Sequence, residues 1–318
     1  MAEKTGISWT DATFNPWVGC TKISPACDNC YAESYAKRTG QSELWQGTRR
    51  RTSTKNWNLP LKWNARPFYE CSNCGWRGDA PEMGYPGSVM EHVGSCPNCD
   101  IIYLRNARRR VFCASLADVF DNEVPPSWRA DLFSLILNTQ NLDWLLLTKR
   151  IGNVSRMLED AGSVEPMLLG GGMPGNVWLG ATVVTQEEAD RDIPKLLNTP
   201  ARIRFLSIEP ILGPVDLRAI QHLKMIDWII TGGESGPNAR PMHPAWVRSL
   251  RDQCAAAGVP FHFKQWGEWA PNCLCQTKKA HKEISRPAPG SPGVMFRCGK
   301  KSAGRLLDGI EHNEFPGV

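Results

Sequence analysis

The sequence predicts an α/β fold, a (β/α) barrel that is complete or partial, and three observations lead there. From about residue 108 onward, apolar runs of strand length alternate with amphipathic stretches of helical period. The runs are nearly continuous in apolar residues, as expected of parallel strands covered on both faces. Each ends in a polar or glycine-rich tip, the edge at which ligands gather in parallel α/β folds. An open doubly wound sheet is the second arrangement compatible with the alternation.

"DATFNPWVGC" supplies a first strand. Six further runs follow: "RRVFCASLAD" from residue 109, "LDWLLLTKR" from 142, "NVWLGATVV" from 176, "RIRFLSIEP" from 202, "IDWIITGGESG" from 226 and "VPFHFKQWG" from 259. Segments such as "SWRADLFSLILNTQ", "TQEEADRDIPKLLNTP" and "PAWVRSLRDQCAAAG" between them carry apolar residues three to four apart and read as helices. The tips place Ser115 and Asp118, Thr148 with Lys149 and Arg150, Thr182, Ser207 with Glu209, Gly232-Gly233-Glu234-Ser235, and Lys264 with Gln265 on one edge. That edge is the expected active-site mouth. Glu209, followed at once by Pro210, lies close enough to the core to need a partner.

Residues 66–107 interrupt the pattern with Gly, Pro and Asn in place of helical period, and they hold Cys71-x2-Cys74 and Cys96-x2-Cys99. Four thiolates in two such pairs close a tetrahedral zinc site, so a small zinc-ribbon insertion is expected. The chain then divides into residues 1–65, with the first strand, a cysteine loop and a helix; the insertion at 66–107; and the remaining βα units with a C-terminal tail at 108–318. Arginine runs flank the insertion, Arg49, Arg50 and Arg51 before it and Arg108, Arg109 and Arg110 after it. They suit either a phosphate backbone or a solvated charged face.

Composition narrows the class. Mean hydropathy is -0.35, no apolar run is long enough for a spanning helix, and the N-terminal stretch lacks a secretory apolar core, so a cytoplasmic protein with no membrane partner is expected. A net charge of +5 is too mild to identify a partner. Twelve cysteines, several in Cys-x-x-Cys pairs, point in a reducing compartment to metal rather than disulfides.

"CTKISPACDNCY" holds three more of them, Cys20, Cys27 and Cys30, just before the helix-like "YAESYAKRTG". Three thiolates at this spacing can ligate three irons of a 4Fe-4S cube and leave the fourth open. A zinc site completed by Cys273, Cys275 or Cys298, or loop cysteines without metal, are the alternatives. Cys113 is a buried packing residue or a hydrogen donor; Cys254, on a helix face, is packing. Trp9, Trp17, Trp266 and Trp269 stand near loop ends, where rings either stack a base or fill the core.

"GISWTDATFNPWVGCTKISPACDNCYAE", with "LLLTKR", "NVWLGATV", "FLSIEPILGPV", "DWIITGGESGPNARPM", "VPFHFKQWGEW" and "KKSAGRLLDG", resembles the phage-associated three-cysteine-motif family of radical-SAM-like proteins. The resemblance covers nearly the whole chain except the zinc-ribbon segment and the tail near "CLCQTKKAHKEISRPAPG". It implies a barrel of the radical SAM type, with Cys20, Cys27 and Cys30 holding a 4Fe-4S cluster and S-adenosylmethionine (SAM) bound at its open iron. Ser115, Asp118, Gly232, Gly233 and Glu234 would bind SAM. Glu209, Lys149, Lys264 and Arg240 would orient an anionic substrate. The implied reaction generates a 5'-deoxyadenosyl radical that acts on a nucleic acid or nucleotide, with electrons from a donor such as a flavodoxin or ferredoxin.

Two features depart from the broader superfamily pattern. Six residues separate the first two cysteines where three are usual, and Asn29 stands where an aromatic usually precedes the third cysteine, with Tyr31 after it. Two readings compete with the radical one: a non-catalytic nucleic-acid-binding metalloprotein whose metal sites are structural, and a barrel hydrolase using Glu209 and Lys264.

Overall fold

A computed structural model describes residues 2–79, 95–102, 104–162, 172–218, 223–271, 284–285 and 294–317. Seven strands form the main sheet: β1 (Ala12–Phe14), β2 (Arg109–Cys113), β3 (Leu142–Thr148), β4 (Val177–Thr182), β5 (Ile203–Ile208), β6 (Trp228–Gly232) and β7 (Phe261–Gln265). They are all parallel and lie side by side in sequence order. A doubly wound sheet reverses direction at a switch point, and this order never reverses, so the winding is that of a barrel. Among the described residues β1 and β7 are not hydrogen-bonded to each other, and the sheet is a half-barrel.

The longer helices are α1 (Tyr31–Arg38), α2 (Pro126–Leu137), α3 (Val154–Gly162), α4 (Gln186–Leu197) and α5 (Pro244–Ala257). Their ends follow local chemistry. Thr185 caps α4 by accepting from the Glu188 amide, and the Glu188 carboxylate reaches back to accept from the Val184 amide. Gly258, with φ of 70°, ends α5 in the left-handed conformation.

Strand period divides the core into two layers. Phe112, Leu145, Trp178, Phe205, Trp228 and Ile230 face the concave side with Trp9, while Val111, Trp144, Leu146, Leu179, Leu206 and Ile229 pack in the larger cluster that includes helix residues. The concave layer is tight: a Cβ on Gly180 would stand 2.3 Å from the Phe205 ring. Trp9, Trp17, Trp266 and Trp269 are all buried, so none presents a stacking face.

The C-terminal segment runs along the outer edge of β7. The Phe263 amide donates to the His312 carbonyl, the Phe261 amide to the Glu314 carboxylate and the Trp228 indole to the Glu314 carbonyl. Phe315 packs against Trp228 and carries the Arg110 guanidinium on its other contact, 3.8 Å from the ring centre. These bonds occupy edge groups that would otherwise remain open for pairing.

The insertion is a separate antiparallel sheet of Phe68–Cys71, Arg77–Asp79 and Leu104–Asn106. Arg77 ties it to Asp11 beside β1, and Arg109 ties it through Asp79. Half of the six arginines in these runs are therefore internal, while Arg50 and Arg108 are exposed. Arg49 pairs with Asp121 in a site where both side chains are 2% exposed, Arg109 and Arg110 are buried, and Arg51 lies over Trp57. A continuous phosphate-binding face, one reading of these runs, is not what they form. The tail after β7 adds a third small sheet from Trp269–Pro271, Ile284–Ser285 and Met295–Arg297. Among the described residues no helix is long and apolar enough to cross a membrane.

Candidate metal centres and the barrel mouth

Cys71, Cys74, Cys96 and Cys99 bring their sulfurs within 4.8 Å of one another, with Cys71 and Cys99 3.6 Å apart and Cys74 and Cys96 3.5 Å apart. A tetrahedron of Zn–S bonds of about 2.3 Å has sulfurs about 3.8 Å apart, so the set is spaced for one ion. Tight turns deliver it: the Gly75 amide donates to the Cys71 carbonyl and the Asp100 amide to the Cys96 carbonyl. The thiols are unequal. A hydrogen bond with the Asn98 side chain holds Cys74 below the usual thiol range, and burial pushes Cys96 above it. A four-cysteine group able to hold a metal ion therefore stands where the two Cys-x-x-Cys pairs placed it. Among the described residues no other group of cysteines, histidines or carboxylates converges this way.

Cys20, Cys27 and Cys30 lie on the loop leaving β1, at the carboxyl end of the sheet, and α1 begins directly after Cys30. Their sulfurs do not gather within single-ion distances. Cys273 and Cys275, possible completing ligands, lie outside the described residues. Cys298 sits where its amide and that of Gly299 both donate to the Glu268 carbonyl.

The cysteine loop is held at both ends. At its start, Gly19 adopts φ of 117°, and a Cβ there would stand 2.6 Å from the Leu44 carbonyl oxygen, so only glycine fits. Arg150 donates to the Cys20 sulfur at 3.5 Å, the Thr21 carbonyl at 2.8 Å and Asp118 at 3.2 Å. Arg49 donates to the Thr21 hydroxyl at 2.6 Å. Burial and the Asp118 charge push the Cys20 thiol up to about 11, against the pull of Arg150.

At the other end, Asn29 donates to Glu234 at 3.0 Å and to the Asn238 carbonyl at 2.9 Å. Arg240 donates to both Glu234 oxygens and reaches Asp28 and the Pro25 carbonyl. Burial opposes the charge on Glu234, but hydrogen bonds from the Arg240 side chain and amide and from Asn29 outweigh it, leaving the carboxyl below its ordinary range. This clasp spans the gap between the loop after β1 and the loop after β6, the two sides of the open half-barrel.

The remaining expected site residues divide by environment. Asp118 accepts from the Thr148 hydroxyl, the Lys149 and Phe120 amides and Arg150, so its carboxylate organises the strand ends. Gly233 is dictated by packing, since a Cβ would lie 2.0 Å from the Trp266 carbonyl oxygen; a Cβ on Gly232 would meet the Gln265 carbonyl oxygen at 3.2 Å. Ser115 is joined to Asn15, and its carbonyl accepts from the Tyr31 hydroxyl. Glu209 pairs with Lys264 at 2.8 Å, the partner its position demanded. Lys149 makes no side-chain ion pair among the described residues and lines a surface groove beside Ile23. Cys113 is fully buried in the helix-side cluster, where burial pushes its thiol far up, and Cys254 is packed there too.

Asp28, Asp121 and Asn15 carry no signal of their own in the sequence, and Asn29, Tyr31 and Arg49 stand out there without showing the contacts they make. Arg49 with Asp121, Asn15 with Ser115 and Asp28 with Arg240 are pairs 72 or more residues apart, so these roles needed the fold. Thr182, noted only as a strand tip, has a buried hydroxyl with no partner among the described residues.

The family described as "Protein of unknown function (DUF5131)" matches residues 4–316, nearly the whole chain. No curated protein and no solved structure matches.

Proposed function

The chain belongs to the DUF5131 family, and from its mouth we propose a radical-SAM-like iron–sulfur enzyme acting on a nucleic acid or nucleotide. The observation that carries this reading is the cysteine loop. Three thiols leave the first strand at the ligand-binding edge of a half-barrel, not gathered as for one ion and held at both ends by Arg150 and Arg240. Such preorganisation lowers the ordering cost of binding.

Cys20, Cys27 and Cys30 would hold a 4Fe-4S cluster and leave one iron for SAM. A reduced cluster held there would supply one electron to the sulfonium of SAM, the chemistry that yields methionine and a 5'-deoxyadenosyl radical able to take a hydrogen from substrate. The chain's own groups do the rest. Arg150 places a positive charge against Cys20 and offsets part of the burial and Asp118 charge that favour its thiol form. Asn29, Glu234 and Arg240 fix the segment bearing Cys27 and Cys30, which makes them positioning residues. Thr182, Ser115, Lys264 and Glu209 offer polar contacts to SAM or substrate at the strand ends, and Lys149 adds a cation at the rim. The concave aromatic layer below them keeps water from entering beneath. Electrons would come from a flavodoxin or ferredoxin.

The test is anaerobic reconstitution followed by SAM and dithionite. Expected are about four irons per chain and 5'-deoxyadenosine, with Cys27→Ala losing iron but keeping zinc. Zinc alone in the wild type, or an intact cluster that yields no 5'-deoxyadenosine, would overturn the reading. The four-cysteine cluster favours one alternative, a non-catalytic nucleic-acid-binding metalloprotein, and the zinc-only outcome would support it.

A further inference from the structure

We propose that a groove beside the cysteine loop is the track for the phosphate backbone of a single-stranded nucleic acid, delivering it to the mouth. The groove encloses about 290 Å³ and is lined by Lys149, Arg150, Arg191 and Lys195, with Asp192 as the sole carboxylate among its lining residues. Its walls come from four separate parts of the chain: the cysteine loop through Ile23, Asn122, the strand end and turn from Lys149 to Asn153, and helix α4.

Arg150 is taken up by Asp118, Thr21 and Cys20, so the open charge of the groove is that of Lys149, Arg191 and Lys195. Asp192 is nearly buried and accepts from both Arg191 and Lys195, which fixes two cationic side chains whose exposures remain 49% and 45%. Their hydrogen bonds also hold the Asp192 carboxyl below its usual range despite burial. Lys149 has no ion-pair partner among the described residues. Asn122, also on the wall, accepts from Asn153 and from Arg156, which brings a further cation to the same side. An arrangement with this excess of cations fits a ligand carrying several negative charges in a row.

Tyr31 and Tyr35 stand one turn apart on α1 and are both exposed, as is Ile23 on the groove wall. Lys22 pairs with Glu33 on the opposite face of α1, and the Tyr31 hydroxyl donates to the Ser115 carbonyl, so the rings stand toward the mouth, beyond the groove wall. A cationic groove followed by exposed rings is how proteins hold unpaired strands, the backbone on the cations and the bases on the rings. Duplex bases, already stacked on one another, cannot use the rings. The role as a substrate track rests on the enzymatic reading above; the strand-binding itself does not.

The test uses the full chain, a labelled single strand of about 16 nucleotides as DNA and as RNA, and the matching duplex, read by fluorescence anisotropy across a salt series. SAM and reductant are left out, so the result is separable from whether 5'-deoxyadenosine forms. Single strands should bind more tightly than duplex. Replacing Arg191→Gln with Lys195→Gln should make the log–log salt slope shallower by about 1.4, since each lost phosphate contact removes about 0.7. Tyr35→Ala should weaken binding and leave that slope unchanged. If the double variant melts early, Lys149→Gln alone should lower the slope by about 0.7. A slope unmoved by these substitutions in folded protein, or a duplex bound as tightly as the strand, overturns the proposal.

Discussion

Arg240 grips Glu234 through both carboxylate oxygens, at 2.9 and 2.7 Å, while its remaining nitrogen reaches Asp28 at 3.0 Å across the open side of the half-barrel. The pair joins the last strands to the loop that follows the first, so it substitutes for the missing β1–β7 ladder. Glu234 is the buried partner and Arg240 the half-buried one.

Arg240→Ala should therefore release the Pro25–Asn29 segment and leave a buried carboxylate short of its main donor. Charged hydrogen bonds of this kind contribute about 1.5–3 kcal/mol. We expect a lower melting temperature and reduced iron per chain after reconstitution, with zinc unchanged. A variant that keeps wild-type iron would show that the clasp does not position the cysteines.

Gly233→Ala separates packing from ligand contact. The added Cβ would stand 2.0 Å from the Trp266 carbonyl oxygen, and a backbone atom held by its own strand cannot step aside. Overpacking costs about 1–3 kcal/mol, so thermal unfolding should detect it without any ligand. An unshifted melt with weakened SAM binding would return Gly233 to a ligand-contacting role.

Chelation should remove one zinc per chain and unravel the insertion alone. Its sheet is held to the barrel by few ion pairs, Arg77 to Asp11 and Arg109 to Asp79 among them, and the main sheet does not share its strands. Hydrogen exchange should then rise in residues 68–79 and 95–106 and stay low in the seven parallel strands. Zinc affinity should also fall with pH, because the bound thiols must lose their protons. Equal loss of protection in the barrel would contradict this separation.

His262 gives the fold an acid sensitivity. It is fully buried with Ser8 2.8 Å from Nε2, and burial first, then the positive charges of Arg305, Lys264 and Arg110, push it down to about 3. The unfolded chain takes up this proton below about pH 6.5, whereas the folded protein resists it. Its contribution is thus intact above pH 6.5 and falls by about 1.4 kcal/mol per unit toward pH 3. Denaturant unfolding at stepped pH should give a shallower acid decline in His262→Gln than in wild type; parallel curves would remove His262 as the cause.

The strands were legible because burial on both faces leaves near-continuous apolar runs, as in "LDWLLLT", and the four-cysteine centre because its ligands sit in two local pairs on tight turns. The role of Glu234 was not legible. It stands in a Gly-Gly-Glu stretch that reads as a ligand loop, yet its partners are Asn29 and Arg240, one of them 205 residues away. The arginine runs misled for a related reason: charge density along the chain says nothing about whether Asp121, Asp79 or an aromatic ring waits nearby in space.

By itself the sequence determined the alternation of strands and helices, the polar edge and the local cysteine spacings, because these depend on period and short-range turn geometry. Only the tertiary structure decided that the sheet stays open, that Glu234 and Arg240 clasp the gap, and that Lys149, Arg191 and Lys195 share one groove. Those depend on which distant side chains meet, and burial decides there whether a charge is spent on the fold or left for a ligand.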